Sequence, residues 1–403
     1  TIYVGTGSNY DGAGGQGGSG FRGDGIWMSE DNGASWTMVS DTDGYDATDD
    51  LEADPTNPDR VWYASVDGYG SITNGVLMEV PGGSNSPSNA SDVAIAPDGS
   101  YCLVAGINGR VYRSVGGDFG SLQLISQSST SNGFLPQSGI GRARIDIAQN
   151  PNADGMYNAF SLYATSGGLF YGLYFSDGAG AGGTWQEVWP GEAQNLTPLP
   201  RNQGIYDLAL GISPMNSRLA YVGGIELWRS GPEQQAELAA NPIDVPGYDY
   251  AMHPDIHEIV SVADGTMYFC TDGGVYRSDD GGLTFMEVNE GLNISQFYGI
   301  AHGPDGEMLG GTQDNGSLLM FLDESNAVQV RGGDGFDCAI SQRRSALDSS
   351  LTWVATSQNG GLVRGRLTNG EVQNSGSFYD SNFTDLFTEN GNLGQFYTCV
   401  RMY

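Results

Sequence analysis

The chain has 403 residues, 63 of them glycine, with 39% apolar content and a net charge of −32. All 16 basic residues are arginine, and lysine is absent. Such a surface repels nucleic acid and anionic lipid, and no apolar run is long enough to cross a membrane as a helix. In chain order, paired apolar runs separated by glycine-rich turns predict strand pairs at Thr1–Gly5 with Gly25–Met28, Arg60–Ala64 with Gly75–Met78, and Tyr101–Ala105 with Val111–Ser114. The series continues at Ser161–Thr165 with Gly172–Phe175, Leu219–Gly223 with Leu227–Ser230, and Met267–Cys270 with Gly274–Arg277. It ends at Met308–Gly311 with Gly316–Met320 and Leu351–Ala355 with Gly361–Arg364. Seven steps separate Gly25 from Gly361, a period of about 48 residues, which marks a repeat architecture. A further strand is expected at Leu51–Ala53, Asp92–Ala96, Arg144–Ala148, Asp207–Ile212, His257–Val262, Phe297–Ala301, Asp337–Ile340 and Phe396–Met402. Pro232–Ala240 reads as a short helix, and Gln127–Gly139 and Asn374–Gly394 as surface loops.

Two octapeptides, Ser29–Trp36 and Ser278–Phe285, share the pattern S-x-D-x-G-x-[ST]-[WF] through Ser29, Asp31, Gly33 and Trp36 and through Ser278, Asp280, Gly282 and Phe285. Aspartate accepts backbone N–H bonds and glycine tolerates positive φ, so each reads as a hairpin turn closed by an aromatic ring. The pattern resembles the Asp-box, or BNR repeat, of sialidases, VPS10/sortilin-like domains and xyloglucanase-like glycoside hydrolases, including propellers of large secreted bacterial proteins. The resemblance is strongest over Asp255–Gly365 and implies that the octapeptide is structural, on the outside of a blade. The expected fold is all-β: one β-propeller over residues 1–403, of eight four-stranded antiparallel blades, with seven as the alternative count. Its ring would be closed by pairing of the N- and C-terminal strands, which removes a sheet edge. The start at Thr1, inside a strand, is expected to be that of a processed or excerpted piece of a longer chain.

Propellers bind at the mouth of the central channel, where loops converge. The candidate ligand contacts are His253, Asp255, His257, Asp272, Gln313, Asp314, Asp334 and Asp337. In an extended segment His253, Asp255 and His257 face one side, a set that could hold a transition metal, although Pro254 points to a constrained turn whose polar side chains cap backbone. Asp272, Asp314 and Asp334 sit beside glycine, as turn-capping aspartates do; their functional reading is a carboxylate pair for glycoside hydrolysis. Asp41, Asp43, Asp46 and Asp49 lie in a dense acidic loop that suits calcium, or is simply solvated. Trp27, Trp62, Trp185, Trp189, Trp228 and Trp353 fall at blade positions, where packing is favoured over sugar stacking. The four cysteines have no metal spacing and read as small buried hydrophobes, with a Cys338–Cys399 disulfide conceivable if the ring closes.

The expected role is a non-catalytic module, secreted or on a bacterial cell surface, for binding, adhesion or assembly. The resemblance adds export by the type IX route as an expectation. Protein subunits or a surface glycan are the expected partners, within a homo-oligomer or a large assembly, with no required cofactor. The alternatives are a glycoside hydrolase acting on polysaccharide and a sortilin-like peptide receptor.

Overall fold

The computed structural model describes residues 1–9, 22–79, 87, 89–116, 119, 121–130, 132–191, 203–240, 252–321, 327–358, 361–368 and 371–373. Among the described residues the chain is all-β, with no α-helix. Among these residues eight sheets follow one another, the first with three described strands and the other seven with four, each an antiparallel meander whose strands keep chain order. This is the β-propeller arrangement, one sheet to a blade. A separate two-stranded parallel pair joins Ser126–Gln127 to Leu135–Pro136. The chain divides into two compact units, Thr1–Asn289 with six of the eight sheets and Glu290–Tyr403 with two.

In the first unit the leading strands of the sheets are Ile2–Gly5, Thr48–Ala53, Ala90–Ile95, Ile140–Ile147, Ala209–Ile212 and Ile256–Ser261. Each touches the next, so the leading edges converge on a common channel. The hydrophobic residues lie between successive sheets in a series of cores. Ile26, Tyr63 and Ile72 join the first two sheets, and Trp62, Val93 and Phe119 the second and third. Tyr101, Ile145 and Trp185 join the third and fourth, Phe160, Trp189 and Trp228 the fourth and fifth, and Tyr221, Ile259 and Phe269 the fifth and sixth. A propeller grows in this way, by adding sheets, because no single core has to enlarge. Five of the six blade tryptophans, Trp62, Trp185, Trp189, Trp228 and Trp353, are buried, as packing residues should be. In the second unit Leu309, Cys338, Trp353 and Val363 form the core between its two sheets. The Cys338 thiol there donates to the Leu309 carbonyl at 3.0 Å. Cys399, the strand expected at Phe396–Met402 and the loop 374–394 lie outside the described residues.

Two expectations are corrected. The partner of Arg60–Ser65 is Gly68–Thr73, and Val76–Glu79 is the fourth strand of that sheet. Asn74 and Gly75, at φ 51° and 76°, make the two-residue turn between them. Asn-Gly is the strongest short hairpin signal because both central residues of that turn need positive φ. The segment expected as a helix contains the strand Gln234–Ala240, in register with Leu227–Gly231 through Trp228 opposite Leu238 and Arg229 opposite Glu237. Its Gln, Glu, Leu and Ala residues favour a helix in isolation, but an edge left open by the preceding strand offers a full ladder, and pairing overrides propensity.

Both octapeptides form the expected turn. Ser29 Oγ donates to Asp31 Oδ1 at 2.9 Å and accepts Gly33 N–H at 2.8 Å, while Asp31 accepts Ser35 N–H at 2.8 Å and the Ser35 hydroxyl at 2.6 Å. Ser278, Asp280, Gly282 and Thr284 repeat this network, and the Phe285 ring packs edge-on against Phe269 at 5.2 Å. A related turn, with Gly178 where the other two have aspartate and with extra glycines, runs from Ser176 to Trp185. Ser176 Oγ and Thr184 Oγ1 are 2.6 Å apart, and Trp185 Nε1 donates to the Gly180 carbonyl at 3.2 Å.

Candidate functional site

The candidate histidines and Asp272 meet in the first unit, at the end of the fifth and sixth sheets where the leading strands begin. Three short segments build the place: the approach Gln203–Leu208 to the strand Ala209–Ile212, the approach His253–Asp255 to Ile256–Ser261, and the turn Asp272–Gly273. Arg142, at the start of Ile140–Ile147, anchors the first segment by donating to the carbonyls of Ile205 and Tyr206 at 2.9 and 3.0 Å. Asp272 N–H donates to the Asp255 carbonyl at 3.2 Å, tying the other two together. Asp255 holds φ at 62°, the left-handed region that aspartate tolerates better than most residues. Gly273 has to be glycine, because a Cβ there would stand 2.2 Å from the His253 ring.

His257 Nε2 lies 2.7 Å from Asp272 Oδ1, and the Tyr206 hydroxyl donates to Asp272 Oδ2 at 2.9 Å. The Tyr206 and His257 rings meet edge to face at 4.8 Å. Gln203 Nε2 reaches Asp255 Oδ1 at 3.4 Å. Asp207 is 0% exposed, and among the described residues no N–H or O–H of another residue reaches either of its carboxyl oxygens; the side chain they meet is the Asp255 carboxyl. Burial, reinforced by the neighbouring Asp255 charge, pushes the Asp207 carboxyl up to about 9. Two carboxyls in contact cannot both ionise, so one proton is shared between them. Burial and Asp272 also raise Asp255, while Asp207 and the two histidines oppose the rise.

The structure thus gathers Asp255, His257 and Asp272, with His253 turned aside: its Nδ1 faces the Pro254 carbonyl at 3.0 Å and its N–H donates to the Tyr276 hydroxyl at 3.1 Å. Among the described residues no three His, Cys, Asp or Glu side chains are grouped to hold a metal ion. Gln313, Asp314, Asp334 and Asp337 lie in the second unit. There the Tyr298 hydroxyl donates to Gln313 Oε1 at 3.3 Å, Asp334 Oδ1 accepts Asp314 N–H at 3.1 Å, and Asp337 Oδ1 accepts Cys338 N–H at 3.1 Å. These are turn and strand-start contacts. In the acidic loop, Asp49 Oδ1 accepts Asn9 N–H at 2.9 Å, Asp46 N–H donates to Asp67 Oδ2 at 2.6 Å, and Asp41 takes φ 69°; Asp43 sits on the same exposed turn.

A second charged assembly lines the channel of the first unit. A leading strand has no partner on its channel side, so its N–H groups need other acceptors. Carboxylates of the preceding blade provide them. Asp50 accepts Val93 N–H at 2.9 Å, Asp92 accepts Ile145 N–H at 2.7 Å, and Asp146 accepts Ile212 N–H at 2.8 Å. Arg144 pairs with Asp92 at 3.5 Å and also with Glu258. These groups and Glu52 line a cavity of about 150 Å³. Burial pushes Asp146 up to about 7 and holds Glu52 well above the usual carboxylate range. The signal for this ladder was present as charges two apart on one face of their strands, Asp50 with Glu52 and Arg144 with Asp146.

No family model matches the chain, and no curated protein matches it. Among solved structures it is similar to the Cps50 (Swd1) β-propeller domain of Myceliophteria thermophila, at 11% identity and TM-score 0.36, covering 80% of this chain and 96% of that one. It is also similar to the extracellular domain of a putative one component system from B. thetaiotaomicron, at 12% identity and TM-score 0.38, covering 88% of this chain and 51% of that one. An ancestral GH74 enzyme matches at 16% identity and TM-score 0.33, covering 74% of this chain and 39% of the enzyme. At these scores the likenesses carry no argument about site or activity.

Proposed function

We propose that this chain is a non-catalytic propeller module, secreted or displayed on a bacterial cell surface, that binds a protein subunit or a glycan in adhesion or assembly. One observation carries the reading. The charged groups at the mouth of the first unit are fixed by the chain's own partners, His257 and Tyr206 on Asp272 and Asp207 on Asp255, which gives a preset polar surface. Preset groups bind without a large ordering cost. The octapeptide turns support membership of the Asp-box propellers, where this turn is structural, and the charge of −32 suits a soluble surface that favours cationic partners. The purified chain should bind a bacterial cell surface, a component of a glycan array or another segment of its own parent protein; failure on all three overturns the reading.

The second reading is glycoside hydrolysis, and the shared proton of Asp207 and Asp255 favours it, since that chemistry uses one protonated carboxyl beside an ionised one. The sealed position of Asp207 weighs against it, because an acid that delivers a proton must reach the leaving oxygen. Release of reducing sugar from soluble polysaccharides, abolished in Asp255→Asn, would establish the hydrolase; no release removes it.

A further inference from the structure

We infer that the first sheet has an empty innermost place, and that residues 396–402 of the same chain dock there as its channel-side strand. The inference goes beyond the binding reading and stands without it. Among the described residues every other blade sheet has four strands, and the first has three. The octapeptides show which strand is missing. Ser278–Phe285 joins the third and fourth strands of the sixth sheet, Gly274–Ser278 and Met286–Glu287. Ser29–Trp36 joins Ile26–Ser29 to Thr37–Met38 in the same way, so Ile2–Gly5, though first in chain order, stands in second place. Its residues agree. Ile2-Tyr3-Val4-Gly5 matches Ala220-Tyr221-Val222-Gly223, the second strand of the fifth sheet. A Cβ on Gly5 would stand 2.6 Å from Thr48, the first residue of the next leading strand, and one on Gly223 would stand 2.6 Å from Ile256. Thr48–Ala53, Ala90–Ile95, Ile140–Ile147 and Ile256–Ser261 each shift register against their partner near the start, and Ile2–Gly5 does not.

The neighbouring sheet registers the gap. Ala90–Ile95 and Ala209–Ile212, which follow complete sheets, are buried throughout, whereas Thr48–Ala53 is buried only at Thr48. Beside it lies a cavity of about 230 Å³ whose lining includes Tyr3, Met28, Leu51, Ala53 and Val61. An unpaired edge of this kind takes up an extended segment, because the new ladder satisfies its N–H and C=O groups. Outside the described residues, 396–402 is the one strand-like run free of Gly, Pro, Asn and Asp, with Phe396, Tyr397, Thr398 and Val400 as strand formers; residues 10–21 are half glycine. Residues 374–395 tether it to Glu371–Gln373 with a reach of about 70 Å when extended. Its only charged residue, Arg401, complements a channel where Asp50, Glu52, Asp92, Asp146 and Glu258 face Arg144.

The test is hydrogen–deuterium exchange of the full chain, read at residues 2–5 with residues 220–223 as reference. In the parent both segments should exchange slowly. Cys399→Pro and Val400→Pro each remove one N–H, and alternation places one of the two on the ladder side. At least one variant should speed exchange at residues 2–5 by about tenfold and leave residues 220–223 slow. Fast exchange at residues 2–5 in the parent overturns the inference, since the place is then empty. Slow exchange there in both variants also overturns it, because another segment or a partner's strand then fills the place. Should the proline variants not fold, cross-linking decides. A short bis-maleimide should join Ile2→Cys or Val4→Cys, both at exposed positions, to Cys399 within one chain. It should not join Thr37→Cys, on the far side of the sheet, to Cys399. A link only between chains, a link to Thr37→Cys, or no link at either Ile2→Cys or Val4→Cys overturns the inference. None of these outcomes bears on cell or glycan binding, so the binding reading stands or falls apart from them.

Discussion

Asp31 and Asp207 belong to the same unit, yet their carboxyls are moved in opposite directions. Asp31 lies on an exposed outer turn, where the hydroxyl and N–H of Ser35 and the hydroxyl of Ser29 hold it down at about 2. Asp207 lies under the mouth, with a second carboxyl as its neighbour, and is pushed up to about 9. Asp146, on the channel wall, falls between them at about 7, because burial works against the N–H groups of Ile212 and Ile147. The difference teaches that in so acidic a chain the type of residue says little. What decides is whether donors or burial dominate at each carboxyl.

The comparison can be broken most forcefully in the channel. Arg144→Met removes the cation between the buried Asp92 and the Glu258 carboxylate and should cost about 3 kcal/mol, read from the urea midpoint at constant m-value. Arg366→Met, which removes an exposed pair with Asp348, should cost several times less; equal losses would show that channel burial does not matter. Asp207 sets the next effect. Its folded pKa of about 9 lies far above the unfolded value of about 4, so its contribution to stability is full below pH 4 and is lost as pH rises to 9. Between pH 7 and 9 the melting temperature of the parent chain should fall, and that of Asp207→Asn, which keeps Asp146, should fall less. Parallel curves would mean that no proton is shared. The smallest effect belongs to Asp31. Its folded pKa of about 2 lies below the unfolded value, so its contribution is present above pH 4 and is lost as pH falls through 2. Asp31→Asn should therefore lower the melting temperature at pH 7, and the gap from the parent should close as pH is taken from 4 to 2.

How much could be read in advance follows from how local each feature is. The turns at Ser29–Trp36 and Ser278–Phe285 were legible because all their bonds fall within eight residues of chain. The turn from Ser176 to Trp185 makes related bonds, but extra glycines break the spacing that announces it. The strand Gln234–Ala240 was misread because its conformation comes from the neighbouring strand and not from its own residues. At the mouth, Asp255, His257 and Asp272 stood out beside turn signals. Tyr206 and Asp207 did not, since Tyr206 reaches Asp272 across 66 residues and nothing in its own segment marks it.

The sequence by itself determined that this protein is a succession of small antiparallel sheets, since glycine-bounded apolar runs at a steady period have few other solutions. It also determined the outer turns, whose hydrogen bonds are made among near neighbours. Only the tertiary structure decided which carboxyls are neutral and which are paired. Arg144 and Glu258 lie 114 residues apart, and Asp207 meets Asp255 only because successive blades bring their leading strands together. Burial and contact between distant segments set the state of those groups, and neither quantity is written in the order of residues.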